Sequence, residues 1–92
     1  MKLNFSKQDG RWVAEFTATA DFNLHIEGVN DGNVQVYQRG TSTGEYAFVR
    51  GSVQYPNYGK VYDMDFTAVV FPKYIKVSCA TEPVEGVATF AE

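Results

Sequence analysis

His25 is the only histidine in the sequence, in the stretch ADFNLHIEG. An imidazole can bind zinc or act as a general base, but each role needs further ligands, or a nucleophile and an acid, close by. The only cysteine, Cys79, alternates with Ile75 and Val77 in YIKVSCATE, which predicts a small buried side chain rather than a reactive thiol. We therefore expect no catalytic residue and no metal site here, and we place His25 on a polar strand surface, weakly paired with Glu27.

Two acidic motifs have a similar interpretation. Asp63 and Asp65 share one strand face in YDMDF, and paired carboxylates can hydrolyse glycosides or bind calcium. A glycosidase needs them across a substrate cleft, and calcium needs further oxygen ligands, so a solvated strand face is the simpler interpretation. The stretch NDGN, residues 30–33, is typical of a tight turn and lacks the remainder of an EF-hand loop. We predict a protein that is not an enzyme and has no cofactor.

Tyrosines supply a candidate binding surface. Tyr37 and Arg39 share one face of a strand, and Tyr55, Asn57 and Tyr58 lie in the loop VQYPNYGK. Tyrosine offers a rigid apolar ring with a polar tip, which suits both protein interfaces and stacking on sugar rings. Ordinary exposure of tyrosines in an aromatic-rich domain is the alternative.

A second set of residues predicts self-association. Three apolar side chains are expected on strand faces that are otherwise polar, namely Val49, Val61 and Val69, and Tyr37 is expected to face outward. Apolar side chains on an outer face, and strand edges that need covering, are both features of oligomer interfaces. We predict an oligomer surface at Tyr37, Val61 and Val69.

Period-two alternation dominates the chain and predicts the elements that position these residues. Asp9-Gly10 and Asp31-Gly32 are hairpin signals, and Pro72 separates two runs. The opening strand is expected around residues 2–5. The alternation also predicts one inward-facing apolar set: Trp12, Phe16, Phe22, Leu24, Ile26, Val34, Val36, Phe48, Tyr62, Phe66, Ile75 and Val77. We predict one all-β domain over residues 1–92, an antiparallel β-sandwich (jelly-roll or immunoglobulin-like) or a small barrel, of about eight strands.

The charge of the chain argues against two classes of partner, nucleic acids and anionic membranes. The 92 residues carry a net charge of −3, and no run of lysines or arginines occurs. Nucleic acids and anionic membranes are bound largely through basic clusters, so we expect neither partner. MKLNFSKQDG lacks the apolar core of a signal peptide, and the longest apolar run, residues 68–71, is far too short to span a bilayer. We expect synthesis in the cytoplasm.

The segments GRWVAEFTATADFNLHIE and YDMDFTAVVFPKYIKVSCATEPV carry a resemblance. They resemble small β-rich proteins encoded near virion genes by phages and prophages of gut bacteria, over most of the chain from Trp12 onward. The resemblance implies a virion role, as a head-decoration, fibre or tail component, and a homo-oligomer; it assigns no functional residue. We therefore predict a non-enzymatic structural or interaction module that contacts copies of itself or other virion proteins. The alternative is a carbohydrate-binding β-sandwich module with a glycan partner.

Overall fold

A computed structural model describes residues 1–29, 34–49, 61–67 and 72–91 of the chain. These ranges contain no helix long and apolar enough to cross a membrane. Their regular structure consists of β-strands, which are β1 (Ser6–Gln8), β2 (Arg11–Ala18), β3 (Phe22–Glu27), β4 (Val34–Arg39), β5 (Ala47–Phe48), β6 (Val61–Phe66), β7 (Lys73–Cys79) and β8 (Glu85–Phe90). The predicted all-β class is confirmed.

The strands form two antiparallel sheets. One has five strands in the order β1-β2-β7-β4-β5, and the other has three in the order β6-β3-β8. Within the described ranges, no strand pairing joins the sheets into a barrel. The arrangement fits a small β-sandwich, and the barrel alternative is wrong.

The core lies between the sheets and contains residues of both. Leu24 and Ile26 of β3, Tyr62 of β6, and Val36 and Val77 of the larger sheet are fully buried. Each large apolar side chain removed from water contributes about 1.5–3 kcal/mol, so this layer is what holds the sheets face to face. Their outer faces therefore lie on opposite sides of the molecule, and alternation within each strand places every second residue there.

The hairpin predicted at Asp9-Gly10 is confirmed. Asp9 has a φ of 50° and Gly10 a φ of 79°, and the two residues join β1 to β2. The second hairpin signal, at Asp31-Gly32, lies outside the described residues.

Two predictions about strands are wrong. Residues 2–5 are not an opening strand: Lys2 makes one isolated bridge to Val87, and the first strand begins at Ser6. Phe48 and Val49 also have the opposite faces to those expected: Phe48 is not in the core but 46% exposed on the outer face of the five-stranded sheet, and Val49 packs against the core. The strand β5 has only two residues, too few for alternation to determine which face turns inward.

Candidate interaction surface

Aromatic rings and cations collect on the outer face of the five-stranded sheet. Glu15, Lys76, Tyr37 and Phe48 stand side by side in one row across β2, β7, β4 and β5. Tyr74 and Arg39 form the next row. We call this surface the tyrosine–cation face and define it by the following six residues: Tyr37, Arg39, Tyr46, Phe48, Tyr74 and Lys76.

Tyr46 approaches this face from the loop that precedes β5. Its ring centroid lies 4.2 Å from the guanidinium carbon of Arg39 and 4.8 Å from Nζ of Lys76. Burial raises the pKa of the Tyr46 hydroxyl, and so does its hydrogen bond with Glu15. The ring thus contacts side chains of β4, β7 and β2. Cation–π contacts of this kind contribute about 0.5–1 kcal/mol at exposed sites.

Tyr37 and Phe48 form the aromatic edge of the same face. Their ring centroids are 5.7 Å apart with an interplanar angle of 66°, an edge-to-face arrangement that aromatic pairs favour. Nζ of Lys76 lies 4.8 Å from the Tyr37 ring, and the Tyr37 hydroxyl donates to Oε1 of Gln35 at 2.7 Å. Lys76 therefore lies between two tyrosine rings, and the face is ordered before any partner arrives.

Arg39 ties the loop to the sheet. Its Nη1 donates to the carbonyl of Gly44 at 3.0 Å, and the amide of Gly44 donates to Oγ1 of Thr41 at 2.9 Å. The guanidinium also lies 5.9 Å from the Tyr74 ring centroid. These contacts hold the loop in the conformation that places Tyr46 over the strands.

The outer face of the three-stranded sheet has the opposite character. Glu27 and Glu85 are direct cross-strand neighbours, and Asp63 and Asp65 project from the same face of β6. We call these four residues the acidic face. Asn23 lies between the two aspartates and donates to Asp63 Oδ1 at 2.8 Å and to Asp65 Oδ1 at 2.9 Å.

His25 lies within the acidic face, where the structure shows a partner that sequence reasoning missed. Its Nδ1 is 2.6 Å from Oδ2 of Asp63, while its Nε2 lies 3.8 Å from Oε2 of Glu27. The hydrogen bond with Asp63 raises the pKa of His25, and the same bond lowers the pKa of Asp63, with a further contribution from Asn23. The expected weak pairing with Glu27 is present, but Asp63 is the closer partner of His25.

The histidine–aspartate pair lies outside the cavity nearest to it. The neighbouring cavity of about 360 Å³ is lined by Asn23 and Asp65 but by neither His25 nor Asp63. Among the described residues no group of three or more histidine, cysteine or carboxylate side chains could hold a metal ion. What the pair can do here is exchange a proton with water and change the charge of an exposed surface.

Cys79 is fully buried in the core. Burial raises the pKa of its thiol to about 12, so the nucleophilic thiolate is scarce near neutral pH. This agrees with the prediction of an inert, space-filling side chain.

The predicted binding and oligomer residues are partly brought together. Tyr37 and Arg39 lie on the tyrosine–cation face, whereas Val61 is 40% exposed on the outer face of the three-stranded sheet. Tyr37 and Val61 are thus on opposite sides of the sandwich. The remaining predicted residues lie outside the described residues: Tyr55, Asn57, Tyr58 and Val69.

Sequence reasoning missed Tyr46, Tyr74 and Lys76 as members of the binding surface. In KYIKVSC, Tyr74 and Lys76 alternate with Ile75 and Val77, so period two would have placed both on an outer face. Alternation alone does not show that β7 pairs with β4, and it is this pairing that brings Lys76 beside Tyr37.

Searches for related proteins found no match to a protein-family model, to a curated protein or to a solved structure.

Proposed function

We propose that this protein is a non-enzymatic structural module that binds copies of itself, and that it serves as a head-decoration, fibre or tail component of a phage or prophage virion. The tyrosine–cation face carries the first part of the proposal. The sequence resemblance to virion-associated β proteins supports the second.

The chemistry of the tyrosine–cation face suits a protein partner. Aromatic residues and arginine are enriched in protein interfaces relative to the rest of the surface. Phe48 is an exposed aromatic ring in a row with Tyr37 and Lys76. Tyr46 and Arg39 already hold each other, so little side-chain entropy remains to be lost on binding, and that loss is one of the main costs of association.

Carbohydrate binding is the alternative function, and the geometry of the aromatic rings on the tyrosine–cation face distinguishes it from protein binding. Sugars stack on flat, open ring faces, but Tyr37 and Phe48 meet at 66°, and Arg39 and Lys76 lie against the Tyr46 ring. This arrangement favours a protein partner over a sugar. Binding on a glycan array that disappears in Tyr37→Ala would replace our proposal with the alternative.

Self-association is tested by sedimentation velocity from micromolar to millimolar concentration. The wild-type protein is expected to exceed its monomer mass of 10.3 kDa, and Phe48→Ser to weaken association about tenfold, the equivalent of about 1.4 kcal/mol lost at an aromatic contact. Thr19→Ala is the control, because Thr19 is exposed between β2 and β3, outside the tyrosine–cation face and the acidic face. A monomer at every concentration contradicts self-association.

The virion role is tested on purified particles from an induced host strain. Mass spectrometry is expected to detect the protein in stoichiometric amounts after density-gradient purification. Capsid or tail genes on either side of its gene would support the same conclusion. Particles that lack the protein would contradict the virion role and leave self-association standing.

A further inference from the structure

We infer that the tyrosine–cation face of one copy binds the acidic face of the next, so that copies stack in one direction. This inference rests on the proposed self-association and specifies how it occurs. It names the partner of the tyrosine–cation face as a second copy of this chain, presented through its three-stranded sheet.

The two faces carry opposite charge. The outer face of the five-stranded sheet has Arg11, Arg39 and Lys76 with Glu15 as its carboxylate. The acidic face has four carboxylates around His25, with Lys2 beside β8 as its cation. A net charge of −3 for the whole chain conceals this separation. Complementary potentials favour association and determine which surfaces meet.

Each face holds like charges close together, and their repulsion destabilises the fold of a single copy. Glu27 stands directly opposite Glu85, and like charges in directly opposed positions destabilise a sheet. On the other side, Arg39 and Lys76 approach the same Tyr46 ring. A second copy relieves both costs at once when it brings the cations to the carboxylates.

The rows of the two faces also match in length and order. Phe48, Tyr37 and Lys76 stand on three successive strands, and so do Val61, Glu27 and Glu85. Neighbouring strands lie about 4.8 Å apart, so each row spans about 10 Å from its apolar end to its charged end. With Phe48 seated on the exposed Val61, Lys76 meets Glu85 and Tyr37 lies over Glu27.

The position of the faces determines the type of assembly. They lie on opposite sides of the sandwich, so one copy cannot use both against the same partner, and the contact is head to tail. A symmetric contact between two tyrosine–cation faces would instead bring together two surfaces with the same excess of cations. Such juxtaposition of like charges costs several kcal/mol.

The experiment uses two variants that each disable one face. Glu27→Lys/Glu85→Lys neutralises the acidic face, because two of its four carboxylates become cations, and it keeps a like-charged cross-strand pair, so its effect on folding is small. Lys76→Glu reverses the centre of the tyrosine–cation face. Glu45→Lys/Glu82→Lys is the control for the first variant, because both residues are exposed, lie outside the strands and change the net charge equally.

Each face variant alone is expected to remain monomeric where the wild-type protein associates, and the control is expected to associate like the wild type. An equimolar mixture of Glu27→Lys/Glu85→Lys with Lys76→Gln, which offers no exchanged charge pair, is expected to form mainly a dimer, because one intact face of each kind remains. Raised salt is expected to weaken the wild-type assembly and the mixed dimer alike, since the interaction between exposed charges is screened over about 10 Å at 0.1 M.

The measurements distinguish a loss of folding from a loss of association, and the head-to-tail mode from other modes of self-association. Far-ultraviolet circular dichroism checks each variant, and Lys76→Gln replaces Lys76→Glu if the latter unfolds, with weakened association as its expected result. Association of Glu27→Lys/Glu85→Lys as strong as that of wild type overturns the head-to-tail mode but leaves self-association intact. A wild-type protein that stays monomeric to millimolar concentration overturns both.

Discussion

Gly28 links the acidic face to the core, and its replacement by alanine is expected to destabilise the protein strongly. It follows Glu27 at the end of β3, with a φ of 80°. A Cβ built there would contact Cγ2 of Val84 and lie 2.8 Å from Cβ and 2.9 Å from the backbone nitrogen of Val84. That nitrogen donates to the carbonyl of Glu27 at 2.9 Å, so it cannot retreat without breaking a hydrogen bond.

The loss of stability in Gly28→Ala has two causes, the left-handed backbone and the close contact with Val84, and Gly10→Ala measures the first of them alone. Gly10 has nearly the same φ, 79°, but nothing lies within 4 Å of an added Cβ. The left-handed backbone alone costs an alanine about 1–2 kcal/mol, and over-packing adds about 1–3 kcal/mol. Gly10→Ala is therefore expected to lose only the first amount, and Gly28→Ala both.

Urea unfolding followed by the fluorescence of Trp12, the only tryptophan, measures both losses. At about 4–8 °C per kcal/mol for a domain of this size, thermal unfolding should also resolve them. Val84→Ala, which alone changes stability by less than about 0.5 kcal/mol, removes the contact with Cγ2 and should restore part of the loss in Gly28→Ala. Equal losses at the two glycines would refute the reasoning from close contact.

Two further changes probe the core and the acidic face. Cys79→Ser should lower the free energy of unfolding by about 1–3 kcal/mol by burying a hydroxyl, and the native thiol should react with a disulfide reagent only after urea is added; rapid labelling of the folded protein would contradict its burial. The bond between His25 and Asp63, side chains 37% and 52% exposed, should contribute about 0.2–1 kcal/mol. Because the bond raises the pKa of His25, the stability that it contributes is present below pH 6.5 and is lost as pH rises through the folded-state pKa of His25. Because it also lowers the pKa of Asp63, this stability is present above pH 3.8 and is lost as pH falls through the folded-state pKa of Asp63. The stability difference between wild type and His25→Gln should therefore be greatest between these two pH values, and a difference independent of pH would exclude the bond as its source.

Alternation predicted the long strands well because each has one face in the core. Phe22, Leu24 and Ile26 are buried as their spacing requires. Phe48 was assigned to the wrong face, since β5 is too short for a pattern and a shift of one residue exchanges the two faces. Local pattern thus predicts which residues share a face wherever a strand is long enough to repeat.

Contacts between distant segments were beyond the reach of local pattern. His25 and Asp63 are 38 residues apart and meet only because β3 pairs with β6 in one particular register. Lys76 meets Tyr37 for the same reason, through β7 and β4. Strand order is set by how the whole chain packs, so the members of each face could be predicted separately but their assembly into one surface could not.

The separation of charge follows sheet membership rather than position in the sequence. Outward cations of the strands stand on β2, β4 and β7, and outward carboxylates other than Glu15 stand on β3, β6 and β8. The sign therefore changes repeatedly along the chain, and folding collects most charges of one sign on each sheet, with Glu15 and Lys2 as the exceptions. Solubility alone is served best by interspersed signs on every surface. A surface divided in this way raises self-repulsion within each face and gains nothing in isolation. Contact between opposite faces of two copies would offset this repulsion, and for that reason the proposal of a second copy as the partner rests on the charge pattern more than on the tyrosines alone.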